Sequence, residues 1–197
     1  MEGGEFLPAE GPFVLPGFHF SGGFRIFDLL ASRGLSAAFP VRTVTQQGNV
    51  YARALAAARN AHFRRMLGER LIEVGPGARA RLQQHLAGGG VVVALLDVGP
   101  TALGLGDTAE VSFLGETVRL PVGVLRLAHE IGAPVVAHEG RIEDGRRVLR
   151  FHPPASGGSA EELLQSVIAT LEGVLRERPW DWQGWLDLDA FFAAARA

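Results

Sequence analysis

His19 closes the apolar stretch Phe13-Val14-Leu15-Pro16-Gly17-Phe18 and stands just before Ser21-Gly22-Gly23. A neutral imidazole at the end of a buried strand, facing the start of a helix, can take a proton from a hydroxyl or an amine. The helix end and the Gly22 and Gly23 amides are placed to stabilise an oxyanion beside it. The same residue can equally be a half-buried histidine that bonds backbone and shapes the turn. Asp97, in Asp97-Val98-Gly99-Pro100, follows the apolar run Val91 to Leu96. It reads either as a helper carboxylate or as a turn-forming Asp before Gly-Pro. Arg42, in Pro40-Val41-Arg42-Thr43, can hold a phosphate or carboxylate with both arms of its guanidinium, or make a surface salt bridge. His138 and Glu139 follow Val135-Val136-Ala137 and are candidates for the same cleft as His19.

Other chemistry is thinly represented. No pair of histidines at helical spacing has a third ligand nearby, so no metal site is expected. No Gly-Lys-Ser/Thr follows the glycine clusters, and there is no Gly-x-Ser-x-Gly elbow. No cofactor is expected. Ser21 lies two residues from His19, but the chain lacks the other signs of a hydrolase. Arg141, Arg146, Arg147 and Arg150 flank a turn at Glu143-Asp144-Gly145, as a solvated hairpin or as a contact for an acidic carrier protein. All three tryptophans fall in Trp180-Asp181-Trp182-Gln183-Gly184-Trp185, where they can cap the core, dock a partner or meet lipid.

These residues need strands and helices to bring them together. Strands are read at Phe13–Phe18, Leu35–Thr43, Leu71–Val74, Val91–Leu96, Pro134–Ala137 and Val148–His152. Helices are read from Ser21-Gly22-Gly23 to Ser32, Asn49 to Leu67, Pro76 to Leu86, after Leu120 to Ile131, and Glu161 to Arg176. A hairpin turns at Gly115 within Val111–Leu120. The last helix carries Leu164, Val167, Ile168, Leu171, Val174 and Leu175 at helical spacing. Strands alternating with helices of this length imply an α/β fold with a mostly parallel central sheet flanked by helices. In such sheets ligands bind beyond the carboxyl ends of the strands, where His19 and Asp97 both lie.

The totals agree with one folded unit spanning residues 1–197, with 1–11 as a loose lead-in. The chain has 197 residues, 47% hydrophobic, with a net charge of −2. That balance gives no field for nucleic acid or an anionic membrane. The absence of cysteine excludes disulfides and thiol nucleophiles. The start is acidic rather than signal-like, and no apolar run approaches the ~20 residues that span a bilayer. A cytoplasmic location is expected, with peripheral contact at the inner face of the membrane left open.

Several blocks, in order, resemble the lipid A biosynthesis (late) acyltransferases, within the glycerolipid-acyltransferase-like superfamily. Gly17-Phe18-His19-Phe20-Ser21-Gly22-Gly23 resembles the His of that family's His-x4-Asp/Glu motif, and Val91 to Asp97 its central strand and Asp-bearing loop. Val111-Ser112-Phe113-Leu114-Gly115, then Leu120-Pro121-Val122-Gly123, resembles its Val-Pro-Phe-Phe-Gly segment. Ile131-Gly132-Ala133-Pro134-Val135-Val136 and Arg178-Pro179-Trp180-Asp181-Trp182 resemble two further blocks.

The resemblance implies a glycerolipid-acyltransferase-like fold and transfer of an acyl group from acyl carrier protein or acyl-CoA to a hydroxyl or amine. His19 would be the base, and Phe24 and Phe27 would line an acyl groove. The motif acid is missing: its position holds Phe24, so in an enzyme an acid from elsewhere, such as Asp97 or Glu139, would take its place. Asp28, one turn on, is expected to be an exposed charge near Arg25. No counterpart of the family's N-terminal membrane anchor is expected from this sequence, and Leu186-Asp187-Leu188-Asp189 stands where basic residues follow the tryptophans. The alternative implied by Phe24 is a degenerate homologue acting as a binding or partner subunit.

Overall fold

The computed structural model describes residues 1–41, 50–98, 107–187 and 192, the side chains at 51–53, 55–56, 186 and 187 excepted. Strands β1 (Phe13–Gly17), β2 (Ala37–Val41), β3 (Leu71–Glu73), β4 (Val91–Leu95), β7 (His138–Glu143) and β8 (Arg146–Phe151) form one sheet in the order β3-β2-β4-β1-β7-β8. All its pairings are parallel except β7 with β8. Strands β5 (Thr108–Phe113) and β6 (Glu116–Pro121) make a separate antiparallel hairpin. The expected α/β fold with a mostly parallel sheet flanked by helices is what forms.

The period of two along a strand explains the two cores. Val14, Val92, Ala94 and Ala38 point to one face, where they meet α3 (Ala78–Ala87), α4 (Gly123–Ile131), α5 (Ala160–Glu177) and the β5–β6 hairpin. Phe13, Leu15, Val91, Val93 and Phe39 point to the other, against α1 (Ile26–Ser32) and α2 (Val50–Leu67). Strands buried on both faces must be apolar throughout, which is why Val91–Leu95 reads as an unbroken run.

Helix α5 shows the local logic. Ser159 caps it by accepting the Glu162 N–H at 3.2 Å, and Glu161 and Glu162 occupy the positive first turn. Its buried stripe of Leu163, Leu164, Val167, Ile168, Leu171, Val174 and Leu175 packs on β5 and α4. Each such side chain contributes roughly 1.5–3 kcal/mol.

Three local readings change. The helix expected from Ser21-Gly22-Gly23 begins as a 3-10 turn at Gly23–Arg25, and α1 proper starts only at Ile26. The expected strand Pro134–Ala137 is a single bridge, Val14 to Val135, and the regular strand is β7, starting at His138. The Val136 N–H bonds the Val14 carbonyl at 2.9 Å, but the next rung would need an N–H from Pro16, which has none. The first residues are not loose: Glu2 exchanges backbone bonds with Leu149 and Phe151 along β8, and Leu7 is buried.

Candidate active site

Parallel pairing puts the carboxyl ends of β1 and β4 side by side at the centre of the sheet. The Leu96 N–H donates to the Gly17 carbonyl at 3.0 Å, so the two strands leave the sheet in register. His19 and Asp97, two residues beyond their strands, are therefore neighbours.

The carboxylate of Asp97 has no exposed side-chain surface and is held by three N–H groups. His19 Nδ1 lies 2.8 Å from Oδ1. The His19 backbone N–H donates to Oδ2 at 2.7 Å, and Trp182 Nε1–H donates to the same oxygen at 2.8 Å. A carboxylate accepts, so Nδ1 carries a proton, and in the neutral ring Nε2 is left with the lone pair. The His19 side chain remains 28% exposed, enough for a reactant to reach it. A histidine with one nitrogen oriented by a buried acid and the other free is arranged for proton transfer.

A small recess open to solvent adjoins the imidazole. Phe18, Gly23, Phe24, Ile26, Phe39, Val93 and His138 contribute to its wall. Phe24 is partly exposed and stacks in a four-ring cluster with Phe27, Phe39 and Phe63; the Phe24 and Phe63 centroids are 4.9 Å apart. Phe27 is absent from this pocket and lines a second cleft with Leu35, Met66 and Leu67.

The remaining candidates separate. Gly22 takes a left-handed φ of 79° and turns the chain. The Gly23 N–H donates to the Phe20 carbonyl at 3.3 Å, so this amide closes the turn rather than facing a reactant. Glu139 points away from His138, as adjacent strand residues must, and is absent from the pocket wall. It is buried, bonded to Arg178, with His152 Nε2 at 3.6 Å and Arg150 Nη1 at 3.9 Å. Burial alone raises its pKa, but His152, Arg178 and Arg150 together outweigh that and hold it below the usual carboxylate range. Asp28 pairs with Arg25 at 3.0 Å on the surface. Arg141 pairs with Glu2 and Glu143, while Arg146 and Arg147 are exposed. Arg42 lies outside the described residues. No cluster of metal-binding side chains occurs among the described residues.

His138 does share the pocket with His19. Gly17 leaves the space for it, since a Cβ there would sit 2.9 Å from the ring. Its Nδ1–H donates to the Pro16 carbonyl at 3.1 Å, and burial pushes the imidazole down to about 4. Above pH ~6.5 both folded and unfolded forms of His138 are neutral. As pH falls from there to 4, only the unfolded chain takes up the proton, so stability drops by roughly 3 kcal/mol. Urea unfolding at pH 7.5 and pH 4.5 is expected to show a smaller acid loss in His138→Gln than in the parent. Equal losses would mean that His138 is charged in the native state.

One residue of the site was not anticipated as such. Trp182 is 2% exposed and supplies the third N–H to Asp97, whereas Trp180 is 76% exposed. The available signal was that a buried indole almost always finds an acceptor for its N–H.

No family model and no curated protein sequence matches the chain. A solved structure does: the crystal structure of the 1-acyl-sn-glycerophosphate (LPA) acyltransferase PlsC from Thermotoga maritima, with a TM-score of 0.54 over 92% of this chain and 72% of that one. The fold is that of PlsC. At 18% identity the likeness speaks for the fold alone. In this chain the histidine is paired with Asp97, two residues beyond the end of β4. No helix among the described residues is long and apolar enough to cross a membrane.

Proposed function

We propose that the chain is an acyltransferase, moving an acyl group from acyl carrier protein or acyl-CoA to a hydroxyl or amine. The observation that carries this reading is the His19–Asp97 pair at the carboxyl end of a PlsC-type sheet, with Nε2 free beside an apolar pocket. The acceptor oxygen or nitrogen attacks the thioester carbonyl carbon while its proton passes to His19 Nε2. Asp97 keeps the ring in that tautomer and offsets the imidazolium charge. The tetrahedral adduct then breaks its carbon–sulfur bond, and the departing thiolate takes the proton from His19. The products are an ester or amide and a free thiol. Phe24 and its ring cluster give the acyl chain an apolar wall. The reading carries with it a cytoplasmic protein that meets any lipid acceptor at the inner face of the membrane.

Phe24, at the position of the family's acid, favours a second reading: a degenerate homologue that binds acyl donors or a partner without turning them over. One assay separates the two. The protein is given acyl-CoA and acyl carrier protein thioesters with a panel of alcohols and amines. Transfer that falls about a hundredfold or more in His19→Ala, with the fold intact, is the expected result. Tight donor binding without transfer would establish the second reading instead.

A further inference from the structure

The segment around Trp182 packs against the His19–Asp97 pair. The Gln183 N–H donates to the His19 carbonyl at 3.0 Å, and Phe20 and Trp182 form an antiparallel bridge. The Trp182 indole reaches past them to Asp97 Oδ2, and its ring is packed among those of Phe18, Phe113 and Trp185. We propose that Trp182 is a positioning residue whose indole N–H locks the Asp97 carboxylate in the rotation that keeps His19 in the Nδ1–H tautomer. The effect on turnover rests on His19 being the base, but the effect on the tautomer does not.

The argument follows from how the acid is delivered. An acid five residues beyond the histidine would share its turn, whereas Asp97 arrives from another strand on a backbone that continues into a loop. A carboxylate rotates about its last bond with little intrinsic preference. Two donors on Oδ2 set that rotation and leave Oδ1 for Nδ1. One of them, the His19 backbone N–H, moves with the histidine itself. Trp182 is the donor anchored elsewhere in the fold. The indole can only donate and the carboxylate only accept, so Trp182 fixes where Asp97 sits while Asp97 fixes which nitrogen faces it with a proton. Its apolar body also covers the carboxylate, which strengthens each of the three bonds by excluding water. The segment is itself fixed, because Arg178 bonds both Glu139 and Asp181. Gly184 leaves room for the indole: a Cβ there would fall 2.1 Å from Trp182 Cζ2.

Trp182→Phe keeps an aromatic ring and deletes the N–H. The expected result has two parts. Side-chain nitrogen NMR of 15N-histidine-labelled protein shows His19 protonated on Nδ1 in the parent and as a tautomer mixture in Trp182→Phe. Turnover falls about 10- to 100-fold with KM for the thioester donor unchanged, the usual cost of losing a bond that orients a working residue. Trp180→Phe, the same change at an exposed indole, leaves both unaltered. If Trp182→Phe does not fold, Gly184→Ala displaces the indole without removing it and is expected to give the same spectrum. An unchanged His19 spectrum in a folded variant overturns the proposal, as does an equal loss in Trp180→Phe. If the parent protein transfers no acyl group, the acyltransferase reading fails, and the nitrogen spectra alone decide the positioning role.

Discussion

Asp97→Asn is expected to lower turnover by about four orders of magnitude while leaving the fold in place. The size of the effect comes from a swap of donor and acceptor, not from lost charge alone. Oδ2 faces two N–H groups, the His19 backbone and the Trp182 indole. The asparagine oxygen must take that side, because an NH2 there would confront two donors. The NH2 is then left facing His19 Nδ1, which has to become an acceptor. Nε2 becomes the protonated nitrogen and can no longer receive a proton from the acceptor substrate. Asp97→Ala removes the orienting group without imposing the wrong tautomer, so it is expected to be the less damaged of the two. Single-turnover acyl transfer at saturating donor measures this. Asparagine activity within tenfold of the parent would show that Asp97 does not orient His19.

The second large effect concerns stability. Arg178→Leu is expected to cost about 3–5 kcal/mol in urea unfolding, because it leaves the Glu139 carboxylate buried without its bonded partner. The double variant Glu139→Leu/Arg178→Leu is expected to recover most of that loss, since it removes both charges and adds apolar packing. Arg150 and His152 stand near Glu139, but at 3.9 and 3.6 Å neither replaces a direct hydrogen bond. A cost below about 1 kcal/mol for Arg178→Leu would mean that water reaches the carboxylate. The depressed pKa of Glu139 sets the pH dependence. The contribution of Glu139 is present above its unfolded value and is lost as pH falls through the folded one, so the cost of Arg178→Leu shrinks in acid.

Much of the architecture could be read locally. Val91–Leu95 is a strand because a segment buried on both faces must be apolar at every position. α5 is a helix because a capped run of Leu, Val and Ile at i, i+3 and i+4 offers one continuous face. His19 and Asp97 stood out because each follows an apolar run, and chain ends of buried parallel strands converge at one edge of the sheet. β7 was missed for an equally physical reason. His138, Glu139 and Arg141 carry no strand pattern, and the segment is held by pairing with β8 and by the Glu139–Arg178 ion pair across the fold.

The sequence by itself therefore determined the α/β layering and the two apolar faces, and it singled out His19 as a candidate, since these depend on periodicity and on which residues end a strand. Tertiary structure decided which acid bonds that histidine, where Glu139 points, and that a tryptophan 85 residues away from Asp97 completes the arrangement. Those are matters of hydrogen-bond partnership between distant segments. Periodicity reports which face a side chain occupies, and only folding determines what it meets there.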